Sequence, residues 1–290
     1  MRIGVIFPQT EIGTDPVAVR DYAQAAEELG YSHILAYDHV LGANPASRPG
    51  WSPVYTYKDS FHEPFVLFAY LAGLTKKIGL VPGVIVLPQR QTALVAKQAA
   101  ALDVLSSGRL RLGVGIGWNP VEYEALGQNF KNRGRRSEEQ IELMRRLWTE
   151  ELVTFQGQWH KVTDAGINPL PIQRPIPVWF GGSADEVLQR VGRLGDGWIA
   201  LFGPDEKCRA AIEKIHVHAR AAGRNQAGIG IEGRISAADR PVEEWLNEIN
   251  AWKNVGATHL SINTMKAGFA TPTAHIEAIR RFQLATATHW

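Results

Sequence analysis

Asp38 and His39 are the adjacent residues of this sequence best suited to moving a proton. They directly follow residues 32–36, an apolar run that we predict to be a buried strand. A histidine can bind and release a proton near neutral pH, and a nearby carboxylate can hold its tautomer. A Tyr-Asp-His triplet alone is a weak signal, so the residues by themselves make His39 a candidate and leave a structural role open.

Gly83 and Val84 lie inside residues 78–87, a long apolar run that predicts a parallel strand buried on both faces. Regular strands favour larger side chains, and a glycine here indicates either a β-bulge or a close approach of the backbone to a ligand. Both interpretations place irregular backbone in the middle of this strand.

A second set of glycines ends the next apolar run, residues 110–117, where Gly115 and Gly117 alternate with apolar residues and Trp118 follows. Their G-x-G-x-G spacing is not the G-x-G-x-x-G fingerprint of dinucleotide binding. We interpret Gly117 and Trp118 as an edge that faces a flat ligand, whereas tight packing explains Gly113 equally well.

Gly181, Gly182 and Ser183 end the predicted strand 177–181 and open a predicted helix over 184–194. Free backbone N–H groups at a helix start, beside residues without bulk, can bind a phosphate. Ser183 could equally cap the helix. We expect both roles at this turn.

Two segments are longer than ordinary connections, residues 41–61 and residues 151–174. Long loops in compact domains tend to be lids or binding loops, so we expect both segments to be lid-like insertions. The first segment follows the second predicted strand, so we predict a substrate lid there, with Trp51, Tyr55 and Tyr57 as substrate contacts. An inert surface insertion is the alternative.

Apolar runs and amphipathic segments alternate along the whole chain. The predicted strands are 2–7, 32–36, 78–87, 110–117, 177–181, 197–201, 228–235 and 258–262, and the predicted helices are 17–29, 63–74, 94–105, 134–148, 184–194, 204–222, 242–254 and 273–284. Eight such units predict a (β/α)8 TIM barrel, as one α/β domain over residues 1–290, with insertion loops at its C-terminal face. An open doubly wound sheet is the alternative.

The composition narrows the class of protein. The formal net charge is +2 and the basic residues are dispersed, which argues against nucleic acid as a partner. Cys208 is the single cysteine, and no Cys and His cluster has the spacing of a zinc site. We find neither a leader nor a membrane-spanning stretch. The expectation is a cytoplasmic globular protein that acts on a small molecule, without metal or membrane.

Residues 81–118, VPGVIVLPQRQTALVAKQAAALDVLSSGRLRLGVGIGW, resemble the bacterial-luciferase-like superfamily of flavin and deazaflavin oxidoreductases. Further motifs similar to this family occur in the family's order before Phe202. They are Asp38-His39, Arg133-Gly134-Arg135-Arg136, the stretch PLPIQRP at 169–175, Gly181-Gly182 and Gly195-Asp196-Gly197-Trp198. Several separated motifs in order are more specific than one glycine pattern.

The resemblance implies a cofactor ring at the C-terminal face of the barrel. Because deazaflavin members of the family keep an Asp-His pair beside the ring, His39 becomes the expected acid–base group for the substrate, with Asp38 in support. The resemblance also implies a cis peptide at Gly83-Val84 behind the ring and a cofactor phosphate on Gly181-Gly182. The expected cofactor contacts are Asp38, Gly83, Val84, Val86, Gly115, Gly117, Trp118, Gly181, Gly182 and Ser183.

We therefore expect coenzyme F-420 as hydride carrier for a small, apolar organic substrate. FMN is the alternative, and it would make the protein a monooxygenase that uses oxygen and a partner flavin reductase. Sugar-phosphate dehydrogenases of the superfamily carry Glu where this chain has Trp118 and Lys where it has Gly203-Pro204, which argues against a sugar phosphate. Because family members often pair through barrel helices, a homodimer is expected.

Two other function classes stay open. A metal-dependent barrel hydrolase could use Asp38, His39 and His62, but it would need further ligands at strand ends that the sequence does not offer. A cofactor-binding protein without turnover is the other class. A bound chromophore that no substrate reduces or oxidises would identify it.

Overall fold

Short apolar segments pair in parallel to form a nearly closed barrel in the computed structural model, which describes residues 1–289; Trp290 lies outside the described residues. The strands are β1 Arg2–Ile6, β2 His33–Ala36, β3 Gly79–Pro82, β4 Ile85–Val86, β5 Leu112–Gly115, β6 Val153–Gln156, β7 Lys161–Ala165, β8 Val178–Gly181, β9 Gly197–Ile199, β10 Gly230–Ser236 and β11 His259–Asn263. The barrel sheet has the order β3-β2-β1-β11-β10-β9-β8-β5-β4, and β6 and β7 form a separate antiparallel hairpin. The predicted TIM-barrel class is confirmed.

The barrel closes at the predicted strand 78–87, which the structure divides in two. The first half, β3, pairs with β2, and the second half, β4, pairs with β5. A bridge between Leu80 and Leu110 joins the first half to the segment before β5. Both ends of the sheet therefore belong to one stretch of chain, and the break between them at Gly83 and Val84 is the irregular backbone that the sequence predicts.

Amphipathic helices cover the outside of the barrel. They are α1 Pro16–Glu28, α2 Pro64–Leu74, α3 Thr92–Leu105, α4 Pro120–Ala125, α5 Arg133–Thr149, α6 Asp185–Leu194, α7 Glu206–Ala221, α8 Val242–Asn254 and α9 Pro272–Thr286. Proline opens α1, α2, α4 and α9, at a position where its missing N–H has no helical partner to lose. The short helix α4 and the hairpin β6–β7 lie outside the predicted elements.

The strands bury both faces, as their apolar runs predict. One face packs beneath the helices in the large core, which includes Val5, Ile34 and Leu80. The other face fills the barrel with a small inner layer, made of Ile6, Leu35, Val81, Trp179, Ile199 and Met265. This inner layer forms a packed floor under the C-terminal end of the barrel.

A buried ionic network fills the barrel toward its N-terminal end. The Glu232 carboxylate lies 2.7 Å from Arg111 Nη2 and 2.8 Å from His33 Nε2, and it accepts a hydrogen bond from Ser261 Oγ at 2.5 Å. Burial alone would raise the pKa of Glu232, but the charge of Arg111 and the hydrogen bonds from His33 and Ser261 outweigh it and lower that pKa. The network therefore keeps a carboxylate ionised inside the barrel.

Residues 151–174, which we expected to be lid-like, pack instead on the outer side of the barrel. Glu139 of α5 accepts hydrogen bonds from the backbone N–H groups at the hairpin tip, and His160 Nε2 lies 2.8 Å from Thr92 Oγ1 of α3. No residue of this segment lines the main cavity at the C-terminal face. The hairpin tip is held by side chains of α5 and α3, and the length of a loop in the sequence does not reveal such contacts. None of the helices within residues 1–289 combines the length and apolarity needed to cross a bilayer.

Candidate active site

A cavity of about 560 Å³ opens at the C-terminal end of the barrel. Its lining is largely apolar and comes from the ends of β2, β4, β5, β8, β9 and β10. The lining residues are Leu35, Tyr37, Asp38, His39, Val54, Tyr55, Gly83, Val84, Val86, Gly115, Ile116, Gly117, Trp118, Gly181, Gly182, Ser183, Ala184, Val187, Ile199, Leu201 and Arg234. All ten expected cofactor contacts therefore lie around one space.

His39 is held in this cavity by a carboxylate that the sequence analysis did not select, Glu122 of α4. His39 Nδ1 lies 3.1 Å from Glu122 Oε1, and the same oxygen accepts a hydrogen bond from Val40 N at 2.9 Å. Gln89 Nε2 donates to the other oxygen at 3.3 Å. Burial raises the pKa of Glu122, but the hydrogen bonds from His39 and Gln89 outweigh it, so the pKa is lowered and the carboxylate stays ionised.

This contact decides the tautomer of His39. An ionised carboxylate only accepts hydrogen bonds, so Nδ1 carries the proton that points to Glu122. Nε2 is then the nitrogen left to face a ligand, as a proton acceptor in the neutral ring and a donor in the charged one. The ring is fixed further by aromatic neighbours, with centroids 4.9 Å from Phe61, 5.3 Å from Tyr55 and 5.5 Å from Trp118.

Asp38 faces away from the ring of His39 and holds the backbone of the divided strand. Its Oδ2 accepts a hydrogen bond from Val86 N at 2.9 Å, and its Oδ1 pairs with Arg90 Nη2 at 2.8 Å. Arg90 also pairs with Glu63 at 2.8 Å. Burial raises the pKa of Asp38, and Arg90 and the Val86 amide offset part of this rise. Asp38 thus supports the site through the strand, because adjacent side chains leave an extended chain in opposite directions.

The peptide bond between Gly83 and Val84 is cis, as the resemblance implies. Val84 occupies space that two glycines leave open. A Cβ on Gly115 would lie 2.4 Å from Val84 Cγ2, and a Cβ on Gly181 would lie 2.8 Å from Val84 Cγ1. Both positions therefore require glycine to leave room for the Val84 side chain, and Gly83 and Val84 themselves line the cavity.

Gly117 has a φ of +66°, in the region that favours glycine, and a Cβ there would lie 2.6 Å from Val86 Cγ1. It turns the chain so that Trp118, which is 36% exposed, reaches the rim of the cavity. The predicted edge at Gly117 and Trp118 thus borders the cavity, and packing against Val86 explains the glycine.

The turn at Gly181, Gly182 and Ser183 leads into α6, whose N-cap is Ala184, with no side-chain hydrogen bond. Ser183 lines the cavity and does not cap the helix, so the N–H groups of the first turn receive no side-chain partner there. Two acidic residues lie in that turn: Asp185 pairs with Lys214 at 2.7 Å, whereas Glu186 forms no ion pair within residues 1–289, so the attraction for an anion comes from the backbone N–H groups. The turn therefore fits an anionic group of a cofactor.

The segment 41–61 contributes to one side of the cavity. Tyr55 lines the cavity, and Trp51 contacts Trp118 with ring centroids 6.2 Å apart. Tyr57 is 58% exposed and borders a second pocket, which shares His39 and Tyr55 with the main cavity. Of the three aromatic residues predicted to meet a substrate, the structure brings Tyr55 to the cavity, places Trp51 behind Trp118 and leaves Tyr57 outside.

Three supporting residues were missed by sequence reasoning, namely Glu122, Gln89 and Arg90, whereas Arg234 lies on the seventh predicted strand, whose end we expected to help determine the substrate. Asn119 and Pro120 carry the sequence signal that could have located Glu122. An Asn N-cap followed by Pro predicts a helix start directly after the predicted strand 110–117. Among residues 1–289, no group of three or more His, Cys, Asp or Glu residues is arranged to hold a metal ion. His62 packs near Phe7, with ring centroids 6.4 Å apart.

Comparison with known proteins identifies the same family as the motifs. A family model described as luciferase-like monooxygenase matches residues 1–287. An uncharacterised protein of Mycobacterium tuberculosis is 36% identical over 221 residues, which cover 73% of this chain and 76% of the relative. The FMNH2-dependent dimethylsulfone monooxygenase of Pseudomonas putida is 28% identical over 228 residues, covering 77% of this chain and 59% of the relative.

Among solved structures, an F420-dependent secondary alcohol dehydrogenase in complex with an F420-acetone adduct shares the fold. Its TM-score is 0.78 at 19% identity, and the match covers 97% of this chain and 98% of that one. The family model spans nearly the whole sequence, and residues of several family-like motifs, among them Asp38-His39 and Gly181-Gly182, line the cavity. The chain therefore belongs to the luciferase-like monooxygenase family.

Proposed function

We propose that this enzyme transfers a hydride between coenzyme F-420 and a small organic substrate with an alcohol or carbonyl carbon. One observation carries the proposal: His39 lines the same largely apolar cavity as the cis bulge at Gly83 and Val84, while Glu122 holds its Nδ1. A single acid–base group beside an apolar surface is suited to moving one proton of the substrate while a hydride passes between the substrate carbon and the cofactor.

The cavity fits a deazaflavin in its shape and in its polar ends. A volume of about 560 Å³ lies in the range of small-molecule sites, and the bulge offers a flat apolar surface for a ring. The uncapped first turn of α6 provides backbone donors for a phosphate. A bound deazaflavin supplies or accepts the hydride.

The residues of the chain move and hold the proton. In the oxidative direction Nε2 of neutral His39 accepts the hydroxyl proton of an alcohol, as the carbon gives up its hydride. In the reductive direction the charged ring returns that proton to the carbonyl oxygen. The ionised Glu122 stabilises the positive charge that His39 gains, and the aromatic wall of Phe61, Tyr55 and Trp118 excludes water.

An FMN-dependent monooxygenase is the second candidate, and the name of the Pseudomonas putida relative favours it. Such an enzyme would use the same cavity, reduced flavin from a partner reductase and molecular oxygen. In that case His39 would handle the proton of an oxygenated product.

The test is a titration of the purified apo-protein with oxidised FMN and with coenzyme F-420, followed through tryptophan fluorescence. Trp118 borders the cavity, so its emission should be quenched, and the variant Trp118→Phe should lose part of the signal. Tight binding of the deazaflavin, followed by its reduction with an alcohol, would support the proposal. Tight binding of FMN alone would select the second candidate. Binding of neither cofactor, or a bound cofactor that no substrate reduces or oxidises, would overturn both.

A further inference from the structure

Arg234 is a cation without a counter-ion in an otherwise apolar cavity. It lies on β10 two residues after Glu232, so both side chains leave the strand on the barrel's inner face. Its Nη1 lies 3.4 Å from the hydroxyl of Tyr37, and no carboxylate of residues 1–289 forms an ion pair with it. Asp38, which also lines the cavity, cannot serve as the counter-ion, because it already pairs with Arg90 at 2.8 Å.

A second phenol, Tyr55, lines the cavity together with Arg234 and Tyr37, and an exposed cation, Lys266, lies beside it outside the lining. Lys266, just after β11, holds its Nζ 5.6 Å from the ring centroid of Tyr55. Burial raises the pKa of Tyr55 to about 12, so its hydroxyl keeps its proton and can donate a hydrogen bond. Arg234, Tyr37 and Tyr55 thus form a positive, donor-rich side of the cavity, which we call the cationic wall.

We infer that the substrate of this enzyme carries a carboxylate, which the cationic wall binds through Arg234. The inference rests on the proposed function, because it names the class of substrate for the same cavity. A guanidinium in low-dielectric surroundings gains most from an oxyanion that accepts two of its N–H groups. The Tyr37 and Tyr55 hydroxyls can donate to the same group.

The wall lies away from the turn that fits a cofactor phosphate. Arg234 is on β10, whereas Gly182 and Ser183 follow β8, and β9 separates the two strands in the sheet. His39, after β2, adjoins this wall, because its ring centroid lies 5.3 Å from that of Tyr55. A substrate with its carboxylate on Arg234 would therefore hold the neighbouring part of its body close to His39.

The experiment measures binding of matched carboxylate and carboxamide pairs, benzoate against benzamide and hexanoate against hexanamide. Each pair has nearly the same size and differs in charge. Binding is followed by calorimetry, both in apo-protein and in protein loaded with whichever cofactor binds. We expect each carboxylate to bind at least about tenfold more tightly than its amide, as a charge-assisted hydrogen bond predicts.

Three variants separate the explanations. Arg234→Gln should bring the carboxylate-to-amide ratio close to one, and Arg234→Lys should restore part of it, because the charge returns without the planar fork. Arg209→Gln removes an equal charge from the exposed side of α7 and should leave the ratio unchanged. Circular dichroism and the cofactor titration confirm that each variant folds.

The result that overturns the inference is a ratio near one in the parent protein, including weak binding of both members of every pair. A loss of cofactor affinity in Arg234→Gln with an unchanged ratio would equally overturn it, because Arg234 would then serve the cofactor. Failure of the proposed function is recognised by a different result. Neither cofactor would then bind, while the ratio of carboxylate to amide affinity could still be measured in the apo-protein.

Discussion

His39 and Glu122 are separated by 83 residues in the sequence, yet Nδ1 of the first lies 3.1 Å from Oε1 of the second. The contact joins the end of β2 to α4 and sets which nitrogen of the ring faces the cavity. Glu122 is therefore a positioning residue, since it acts on the substrate only through His39. Its negative charge also stabilises the protonated ring.

Replacing Glu122 by Gln should lower kcat by about tenfold to a hundredfold, because the neutral amide neither fixes the tautomer nor stabilises the charged ring. Cofactor affinity should change little. Steady-state kinetics over a range of pH and a cofactor titration measure both effects, and a structural role alone would not displace the pH profile of kcat. The matched control is Glu124→Gln, two residues on in α4 with an exposed side chain. Equal losses in the two variants would contradict the assignment.

Replacing Gly115 by Ala should displace the bulge, because the new Cβ would lie 2.4 Å from Val84 Cγ2. We expect the free energy of unfolding to fall by about 1–3 kcal/mol, the usual result of overpacking, together with weaker cofactor binding. Urea denaturation and the cofactor titration measure the two quantities.

Gly73→Ala is the control for this substitution. Nothing lies within 4 Å of a Cβ at Gly73, which is in α2, so it should gain about 0.5–1 kcal/mol from helix propensity. A Gly115 variant that keeps both stability and cofactor affinity would show that the bulge has room to move.

Tyr55 and Tyr57 give a paired test of the lid. Tyr55→Ala opens the wall beside His39 and should raise KM by about tenfold, as expected when a buried aromatic contact is lost. Tyr57→Ala changes a side chain that is 58% exposed and should leave KM nearly unchanged. Similar KM values for the two variants would mean that this segment does not form a wall of the substrate site.

His259 should make the protein less stable as the pH falls. Burial, with added repulsion from Arg111, lowers its pKa to about 3 from an ordinary value of 6.5. Between these values the unfolded chain binds a proton that the folded protein does not, so the free energy of unfolding decreases with falling pH. His259→Gln should reduce the slope of that free energy against pH by up to about 1.4 kcal/mol per unit.

Urea denaturation of the parent and of His259→Gln between pH 4.5 and 6.5 isolates this effect by difference, because His33 and His275, whose pKa values are also lowered by burial, are present in both proteins. The lowered pKa of Glu232 makes its own contribution vary only below its ordinary value of 4.5. A slope that stays the same in His259→Gln would contradict the assignment.

The order of strands and helices was predictable, because buried parallel strands and amphipathic helices have different periodicities. The eight predicted strands correspond to the barrel strands, and the interruption at Gly83 and Val84 was anticipated from a glycine within an apolar run. The predicted strand 110–117 is longer than the observed Leu112–Gly115, since the glycines at its end turn the chain away from the sheet.

Contacts between distant parts of the chain were not predictable in the same way. Local pattern led us to pair His39 with its neighbour Asp38, but the pleat turns that carboxylate toward Val86 and Arg90. Glu122 is brought to His39 only by the closing of the barrel. The segment 151–174 shows the same limit, because its place on α3 and α5 depends on Glu139, Thr92 and His160.

The ionic network around Glu232 and the cavity around His39 occupy opposite ends of the barrel, with the layer of Ile6, Leu35 and Val81 between them. The groups that hold the barrel together from within are therefore not the groups that meet a ligand. A change at the rim, in segment 41–61 or at Arg234, can alter the chemistry of the cavity while the lower end keeps its charges paired. Single substitutions at the rim can therefore change which substrate binds without disturbing the interactions that stabilise the barrel.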